Sequence, residues 1–311
     1  MFSLSKKIYA LAGPTAIGKT VLSIKLAKSL NAEIISVDST LVYKKLNIGS
    51  SKPSLLEMDG VVHHLIDIIE PWLSYSVNNF LNDTKKLITE IHANSKEVLL
   101  VGGTMMYFKA LQDGISKLPE ANNAVRAILN AQKLSHWYAF LKHKDPKTAL
   151  KLCPNDQQRI QRAVEVILLT GKAYSQVVLQ NQREGGFGKA LKLCALVPGD
   201  DRRNALHKSI EQRFLKMLQN GFLKEVREIK ELYNMHEELS SMRSVGYRQA
   251  WQYLNNEYDY NSFIAKGMAA TRQLAKRQLT WIRNWHNPIF MIDSNQIFIN
   301  KINQALDYFG D

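Results

Sequence analysis

The octapeptide Gly-Pro-Thr-Ala-Ile-Gly-Lys-Thr at residues 13–20 constrains the fold of this chain more than any other feature. It fits the phosphate-loop pattern, in which two glycines precede a lysine and a hydroxyl residue. The residues before it, Lys-Ile-Tyr-Ala-Leu-Ala, predict a short strand, and the residues after it repeat apolar positions at helical spacing. A phosphate loop requires this strand–loop–helix order. The pattern therefore predicts a bound diphosphate or longer group, without saying what happens to it.

Each part of the loop has its own task in holding phosphate. Gly13 and Gly18 let backbone N–H groups turn toward phosphate oxygens, and the following helix N-terminus adds positive potential. Lys19 supplies a full positive charge, and the Thr20 hydroxyl is the candidate ligand for a magnesium ion, Mg²⁺, that bridges phosphate oxygens. The candidate diphosphate-binding residues are Gly13, Pro14, Thr15, Ala16, Ile17, Gly18, Lys19 and Thr20.

Composition limits the class of protein. The chain has 311 residues, of which 45% are hydrophobic, enough for one large or two modest packed domains. No apolar run is long enough to span a bilayer and the amino-terminal residues lack a hydrophobic signal region, so we expect a cytoplasmic protein. Two cysteines cannot form a disulfide framework or a four-ligand zinc site. The net charge of +13 fits either a polyanionic partner, most simply nucleic acid, or a generic basic surface.

Apolar strand patterns alternate with helical patterns, which predicts an α/β fold: a phosphate-loop parallel sheet flanked by helices. The predicted strands are 7–12, 32–37, 98–101, 191–197 and 288–292. Strand patterns are absent between Gln112 and Ala190, where helical patterns replace them. We therefore expect a first core segment at 1–112, a helical insertion domain at 113–190, and a core continuation with basic helices at 191–311.

One helix of the insertion is well marked in the sequence. Asn155 is its predicted N-cap, with Gln158 three residues later as the capping-box partner, and Gly171 is its predicted end. Arg159 and Arg162 lie one turn apart, away from the apolar side. The predicted buried stripe is Ile160, Ala163, Val164 and Ile167.

Two predicted strands end in residues that could carry chemistry. Asp38 follows the second strand, at the edge of an open sheet where ligands collect. It could hold a metal ion, act as a general base, or cap the next turn. Gly102-Gly103-Thr104 ends the third strand without the acidic residue that nucleotide hydrolases often place there. This pattern weakens the hydrolase interpretation.

Basic residues also form patterns. On the C-terminal helix, Arg272, Lys276 and Arg283 share one side, with Leu274 and Trp281 predicted opposite, which suits a phosphate backbone or a solvated face. Arg243 and Arg248 flank Ser-Val-Gly-Tyr and are candidates for the same surface.

Two further sites have competing interpretations. Arg213 is either a pyrophosphate contact or a partner of Glu211. The pair His63-His64 lacks the spacing of metal ligands, and we expect it to have a structural or hydrogen-bonding role on a loop.

Several of these strings together resemble the bacterial tRNA dimethylallyltransferases, also called tRNA isopentenyltransferases. They occur in family order from residue 13 to about 283 and cover nearly the whole chain. Besides the octapeptide, the matching strings are Ser-Val-Asp-Ser, Ile-Gly-Ser-Ser-Lys-Pro, His-His-Leu-Ile-Asp, Val-Gly-Gly-Thr, Pro-Asn-Asp-Gln-Gln-Arg-Ile-Gln-Arg-Ala, Ser-Val-Gly-Tyr-Arg-Gln-Ala and Thr-Arg-Gln-Leu-Ala-Lys-Arg-Gln-Leu-Thr-Trp.

The resemblance implies transfer of a dimethylallyl group from dimethylallyl diphosphate to N6 of adenosine 37, in tRNAs that read codons beginning with U. Asp38 would be the general base, Thr104 would orient donor or adenine, and Arg213 with Lys19 and Mg²⁺ would stabilise the departing diphosphate. The resemblance also implies a monomer that binds the anticodon stem-loop of tRNA and no membrane. The implied tRNA contacts are Asp38, Ser39, Thr40, Leu41, Thr104, Arg126, Gln158, Arg159, Ile160, Gln161, Arg162, Arg243, Arg248, Arg272, Lys276 and Arg283.

Departures from the family pattern leave the assigned chemistry in place. Ile17 replaces a small polar residue, Asn47 stands where Asp is frequent, and Met105-Met106 replaces Gly-Leu, which could reshape the isoprenoid tunnel. Three alternatives stay open at this point: a small-molecule kinase or nucleotide hydrolase that uses the same loop, an enzyme that prenylates free AMP, and an RNA-binding module without catalysis.

Overall fold

The computed structural model describes residues 7–181, 183–199, 203–232 and 234–310. The chain divides into two compact units. The core unit combines Met1–Gln112 with Phe187–Asp311, and the inserted unit spans Asp113–Gly186. The first residues of the chain, on which the expectation of no secretion signal rests, lie outside the described residues. No helix in the described ranges is both long enough and apolar enough to cross a membrane.

Strands and helices alternate in the core unit, as the sequence predicts. In the described residues the strands are β1 (Ile8–Ala12), β2 (Ala32–Val37), β3 (His63–His64), β4 (Glu97–Gly102), β5 (Ile115–Ser116), β6 (Arg183–Glu184), β7 (Leu191–Val197) and β8 (Phe290–Asp293). Six of them form one sheet in the order β3-β2-β4-β1-β7-β8, and every neighbouring pair is parallel. The predicted α/β class with a parallel sheet is confirmed.

Helices flank this sheet. The core unit contains α1 (Lys19–Leu30), α2 (Leu55–Met58), α3 (Val77–Ala93), α4 (Met105–Asp113, whose last residue belongs to the inserted unit), α10 (Arg203–Gln219), α11 (Phe222–Lys230), α12 (Tyr247–Leu254), α13 (Tyr260–Arg283) and α14 (Phe298–Gly310). The inserted unit contains α5 (Asn123–Asn130), α6 (Leu134–Lys144), α7 (Pro146–Ala149), α8 (Gln157–Thr170) and α9 (Tyr174–Gln180).

The main core lies between the sheet and its helices. Leu11, Ile34 and Leu99, on three adjacent inner strands, pack in one cluster with Leu22 of α1 and Phe309 of α14. Each is at most 2% exposed, and burial of a side chain of this size contributes about 1.5–3 kcal/mol. The near-continuous apolar runs of these strands arise because a parallel sheet is covered on both faces. This packing holds the strand ends, and the loops after them, in fixed positions.

The inserted unit departs from two expectations. Helix α8 ends at Gly171 with φ of 68°, and its predicted stripe is buried, but its N-cap is Asp156, whose side chain accepts the Arg159 N–H. The predicted cap at Asn155 is therefore wrong by one residue. A charged carboxylate interacts more favourably with the helix dipole than a neutral amide does. The expected absence of strands is also wrong, because β5 and β6 pair antiparallel. The sequence did not reveal them, since strands of two residues are too short to show a periodicity.

Candidate active site at the carboxyl edge of the sheet

The carboxyl ends of β1, β2 and β4 meet at one edge of the sheet, where ligands bind in open parallel sheets. There, β1 leads into the phosphate loop, β2 into Asp38 and β4 into Gly103. A cavity of about 430 Å³ opens at this edge, within the core unit. Thr15–Thr20 of the loop line this cavity, which we call the main cavity, together with Asp38, Gly103, Arg213 and Gln278.

Gly13 and Pro14 shape the loop from behind its lining residues. A Cβ atom on Gly13 would lie 2.7 Å from the Leu196 carbonyl oxygen, so only glycine fits against β7. The Pro14 carbonyl accepts a hydrogen bond from Lys19 Nζ at 2.7 Å. Gly18, the N-cap of α1, has φ of 93°, in the left-handed region that glycine adopts without strain. The loop thus needs glycine at both predicted positions, for close packing at Gly13 and for a left-handed conformation at Gly18, and Lys19 folds back over it.

Two cations and one carboxylate share the main cavity. Burial and, to a smaller extent, the positive charge of Arg213 lower the pKa of Lys19 to about 7, and Asp38 acts in the opposite direction. Burial likewise lowers the pKa of Arg213, again against the effect of Asp38. The positive charge here is incompletely neutralised, and a bound anion would relieve it. Of the two interpretations of Arg213, the structure favours the one in which it faces the cavity, whereas Glu211 lies 3.7 Å from the Arg272 guanidinium.

The Asp38 carboxylate both caps a turn and lines the cavity. Its Oδ1 accepts the N–H groups of Thr40 at 2.8 Å and Leu41 at 3.4 Å. The Ser39 N–H donates to Thr104 Oγ1 at 3.1 Å, so the loop after β2 is tied to the end of β4. Capping therefore leaves the other carboxylate oxygen of Asp38 free of these two hydrogen bonds, because both of them end on Oδ1.

Gln278 of α13 is a site residue that the sequence analysis missed. Its Oε1 accepts the Thr15 N–H at 2.9 Å, and its Nε2 donates to the Gly103 carbonyl at 2.9 Å, so one buried amide joins the phosphate loop to the end of β4. A Cβ atom on Gly103 would lie 2.3 Å from Nε2, which explains the glycine. A polar residue on the buried stripe of a helix was the available signal. That stripe is Phe263, Gly267, Ala275, Gln278, Leu279 and Ile282.

The expected packing side of α13 needs correction. Trp281 is 39% exposed, and Leu274 lines the main cavity instead of packing with it against the core. The helix is buried along a neighbouring stripe because it lies against α10 and α12. The apolar side chain of Leu274 is therefore available to a ligand.

The oxygen donors of the main cavity suit a hard cation that keeps most of its water. Thr20 and Asp38 line the cavity, as does Ser36, whose buried Oγ has no hydrogen-bond partner in the part of the chain that the structure describes. Within the described ranges, no group of three His, Cys, Asp or Glu side chains could form a complete metal cage. Two hydroxyls and one carboxylate fit Mg²⁺, which is usually held by one or two protein ligands and by phosphate oxygens.

The paired histidines hydrogen-bond within the fold, as expected, although they lie on strand β3 and not on a loop. The His63 ring Nδ1 lies 2.8 Å from the Val61 carbonyl oxygen, and His64 Nε2 lies 2.6 Å from the Glu33 carboxylate. Burial lowers the pKa of His63. Both side chains are thus engaged in supporting the outer edge of the sheet.

The three basic residues predicted on one side of α13 do lie together. Arg272, Lys276 and Arg283 line a second cavity of about 630 Å³ in the core unit, which we call the basic cavity. Buried Arg272 Nε has no hydrogen-bond partner among the described residues. The Arg272 guanidinium therefore has a hydrogen-bond donor that could bind an anion in this cavity.

Arg243 and Arg248 are exposed at the opposite ends of a segment next to the main cavity. Between them, Val245 and Gly246 line that cavity. Ser244 Oγ accepts a hydrogen bond from Thr40 Oγ1 at 3.2 Å, which ties the segment to the loop after Asp38. Both arginines are thus exposed beside residues that line the main cavity.

In the inserted unit, two of the predicted contact residues are held by a buried carboxylate. Glu165 is fully buried, and its Oε1 accepts Arg126 Nε at 2.9 Å while its Oε2 accepts Arg162 Nη1 at 2.6 Å. The Arg162 Nη2 group also donates to the Pro119 carbonyl at 2.6 Å. Both arginines therefore support the fold of this unit, whatever else they contact.

The other predicted contacts of α8 differ in exposure. Gln158 and Arg159 are exposed, and the Arg159 side chain is 71% accessible. Gln161 donates to Asn130 Oδ1 at 2.9 Å. Ile160 is the exception, because its side chain is fully buried in the core of the unit and supports the helix instead of meeting a partner.

Comparisons with known proteins agree with this geometry. Residues 41–285 match the family model described as IPP transferase. The chain is 53% identical over 311 residues to the tRNA dimethylallyltransferase of Francisella tularensis subsp. novicida, with 99% of each chain covered. The corresponding protein of Francisella philomiragia is 52% identical, with 98% of this chain and 99% of that one covered.

Solved structures extend the similarity to the fold. The tRNA isopentenylpyrophosphate transferase of Bacillus halodurans has a TM-score of 0.72 and 33% identity, with 98% of this chain and 96% of that chain covered. A eukaryotic dimethylallyltransferase described as acting on tRNA has a TM-score of 0.78 and 27% identity, with 93% of this chain and 74% of that chain covered. The resemblance drawn from the motifs and the expected enzyme class are both confirmed. The chain belongs to the IPP transferase family, that of the tRNA dimethylallyltransferases.

Proposed function

We propose that this protein transfers a dimethylallyl group from dimethylallyl diphosphate to N6 of adenosine 37, in tRNAs that read codons beginning with U, and releases diphosphate. One observation carries the proposal: Lys19, Arg213 and Asp38 line the same cavity. Two cations suit a departing diphosphate, and one carboxylate suits the proton that the amine must lose.

The donor would bind with its diphosphate on the loop of residues 13–20. Lys19 and Arg213 stabilise the charge that grows on the diphosphate as the bond between oxygen and the allylic carbon breaks. Phe214, Met217 and Leu274 line the same cavity and offer an apolar wall to the five-carbon group. An electrophilic carbon is thus presented between a polar and an apolar surface.

Magnesium fits this site as the cofactor of the donor. The Thr20 hydroxyl would hold Mg²⁺ together with phosphate oxygens, and the unpartnered Ser36 hydroxyl lies in the same cavity. When bound, the ion neutralises diphosphate charge.

The acceptor step needs a base and a well-placed amine. N6 of the adenine attacks the allylic carbon, the carbon–oxygen bond breaks, diphosphate leaves, and the N6 proton passes to Asp38. The hydrogen bonds to Thr40 and Leu41 use Oδ1, while the Ser39 N–H bond to Thr104 positions the loop. Because the amine of adenine is a poor nucleophile, this positioning supplies much of the rate. Thr104 also stands beside the acceptor base in this proposal.

The adenine must leave its stack to reach the cavity, so the RNA substrate is the single-stranded loop of the anticodon arm. The arginines beside the cavity mouth, the basic cavity and the exposed face of α8 would bind the backbone of that stem-loop. In this proposal the enzyme acts as a monomer in the cytoplasm. A kinase or hydrolase using ATP is less well supported, because β4 ends in Gly102-Gly103-Thr104 without a carboxylate.

Asp38→Asn and Asp38→Ala test the base. The substitution to Asn keeps an oxygen for the Thr40 and Leu41 N–H groups but accepts no proton, so it separates catalysis from loop shape. We expect both variants to lose transfer of labelled dimethylallyl groups by about 10²–10⁴-fold. Asp38→Asn should bind the anticodon stem-loop like the unchanged protein.

The assay uses dimethylallyl diphosphate, Mg²⁺ and stem-loops with adenosine or guanosine at the target position. Label should enter only the adenosine substrate. Near-normal transfer by Asp38→Asn would remove Asp38 as the base. ATP hydrolysis or phosphate transfer by the unchanged protein, without prenyl transfer, would overturn the whole proposal.

A further inference from the structure

A buried carboxylate outside the main cavity holds part of the cavity wall. Glu225, in the first turn of α11, is 8% exposed. Its Oε2 accepts the N–H groups of Asn47 at 2.9 Å and Ile48 at 2.7 Å, and its Oε1 accepts the Gly49 N–H at 3.1 Å. Three consecutive backbone donors therefore converge on one side chain.

The charge of Glu225 is stabilised by hydrogen bonds, since no ion pair joins it to a cation in the described part of the chain. Its fourth donor is the Tyr247 hydroxyl, at 2.7 Å from Oε1. Burial, followed by the charge of Glu225, raises the pKa of Tyr247 well above its usual range, so this hydroxyl keeps its proton. Successive N–H groups that point at one carboxylate form a site that the neutral side chain of Gln cannot fill. Its carbonyl oxygen can accept, but its NH2 group can only donate and would face other donors.

The same loop is pressed against α11 and α12. A Cβ atom on Gly49 would lie 2.2 Å from the Phe222 ring and 2.6 Å from the Tyr247 ring. Steric contact and hydrogen bonding therefore determine the same loop position. The Lys52 ammonium also donates to Asn47 Oδ1 at 2.8 Å, so it supports the start of the loop, whereas Glu225 holds its backbone N–H groups from Asn47 to Gly49.

This loop leads directly to a cation of the active site. Gly49 and Ser51 line the main cavity, and Ser51 has φ of 52°, a left-handed conformation that a serine adopts only when its surroundings impose it. Ser51 Oγ accepts a hydrogen bond from Arg213 Nε at 2.8 Å. A continuous series of contacts thus runs from Glu225 through the loop to the Arg213 guanidinium.

We propose that Glu225 is a positioning residue for the donor diphosphate, which acts by holding the 47–51 loop so that Ser51 orients Arg213 in the main cavity. The inference rests on the proposed function, because it takes the diphosphate as the ligand of Arg213. Glu225 touches neither substrate, and its effect is transmitted through backbone N–H groups.

A double-mutant cycle tests the path. Glu225→Gln, Arg213→Ala and the double variant are titrated with inorganic diphosphate and Mg²⁺ by calorimetry, and urea unfolding gives the stability of each. We expect Glu225→Gln to weaken diphosphate binding by about tenfold, the effect of losing one charge-assisted hydrogen bond. In the Arg213→Ala background, Glu225→Gln should weaken diphosphate binding less than twofold, because Arg213, through which Glu225 acts, is already absent.

Tyr247→Phe is the matched control, since it removes one hydrogen bond from Glu225 and the hydrogen bonding of this hydroxyl with Ser50, but leaves the three backbone N–H bonds of the loop to Glu225 in place. It should lower stability and leave diphosphate affinity within about twofold. If Glu225→Gln does not fold, Glu225→Asp, which keeps the charge and shortens the reach, takes its place in the cycle.

The inference would be overturned if Glu225→Gln weakened diphosphate binding equally in the presence and absence of Arg213. A loss of affinity in Tyr247→Phe as large as that in Glu225→Gln would also overturn it, as would a lack of diphosphate binding by the unchanged protein. Absence of prenyl transfer by the unchanged protein would instead overturn the proposed function. The two failures are therefore distinguishable.

Discussion

The charge of Lys19 depends on what the cavity contains. Burial and Arg213 bring its pKa to about 7, so near neutral pH the ligand-free protein holds both forms of the amine. A diphosphate places negative charge beside Lys19, which favours the ammonium form. Binding of the donor and protonation of Lys19 are thus coupled.

We therefore predict that the protein takes up protons when it binds dimethylallyl diphosphate above pH 7. Below this pKa the ammonium is already present, so uptake by Lys19 should approach zero at pH 6, whereas at pH 8 it should approach one proton per site. Phosphate esters lose their last proton at about pH 6, so the ligand contributes little at pH 8. Calorimetry at pH 8 in buffers of different ionisation enthalpy measures the uptake. Binding at pH 8 without proton uptake would contradict the coupling between donor binding and protonation of Lys19.

Helix α8 shows how one element serves both fold and surface. Its inner side carries the buried stripe and Glu165, which holds Arg126 and Arg162. Its outer side carries Arg159, whose contact with Asp156 at 3.3 Å is an exposed ion pair. Exposed ion pairs contribute about 0–1 kcal/mol to the free energy of folding, whereas removing the partner of a buried carboxylate lowers the stability by more than that.

Arg159→Ala and Arg162→Ala should therefore behave differently. We expect Arg162→Ala to lower the free energy of unfolding by about 1–3 kcal/mol, because Glu165 and the Pro119 carbonyl both lose a donor. Arg159→Ala should change stability by less than about 0.5 kcal/mol and should weaken binding of the anticodon stem-loop. Urea unfolding and a fluorescence-anisotropy titration measure the two effects. A loss of stability in Arg159→Ala equal to that in Arg162→Ala would refute this division of labour.

At the scale of the whole molecule, the net charge of +13 gains meaning from its placement. Three cations line the basic cavity and two more flank the segment beside the main cavity. Charges gathered in this way release counterions when they meet a phosphate backbone. Binding of RNA should then depend steeply on salt.

Replacing Arg272, Lys276 and Arg283 by Gln tests this placement. We expect the slope of log K against log salt for the stem-loop to fall in magnitude by about 2, at about 0.7 per lost phosphate contact. Affinity for dimethylallyl diphosphate should stay unchanged, because these residues line the other cavity. An unchanged slope, measured between low and moderate salt, would remove the basic cavity from the RNA-binding surface.

Local patterns in the sequence were sufficient for much of the architecture. The strand–loop–helix order around residues 13–20, strands β2 and β7 with their exact ends, and the buried stripe and Gly171 end of α8 were all predicted correctly. These features depend on residues within a few positions of one another, where spacing and backbone preference act directly. The cap at Asp156 was missed by one residue because Asn155 and Asp156 are both good caps.

The chemistry of the site was only partly visible in this way. Asp38 and the loop of residues 13–20 could be found because each directly follows a strand. Gln278 bonds to Thr15 across 263 residues, and Glu225 reaches Asn47 across 178. No local spacing marks such pairs.

The sequence alone was therefore enough to predict the family, the strand–loop–helix conformation around residues 13–20 and the parallel sheet. The tertiary structure was needed to show that Arg213 faces the cavity, that Ile160 is buried, and that the side chains of Gln278 and Glu225 hold the loops of the site. The physical reason is the range of the interactions. Helix and loop signals arise between neighbours in the chain, whereas hydrogen bonds to buried Gln278 and Glu225 exist only once distant elements have packed together.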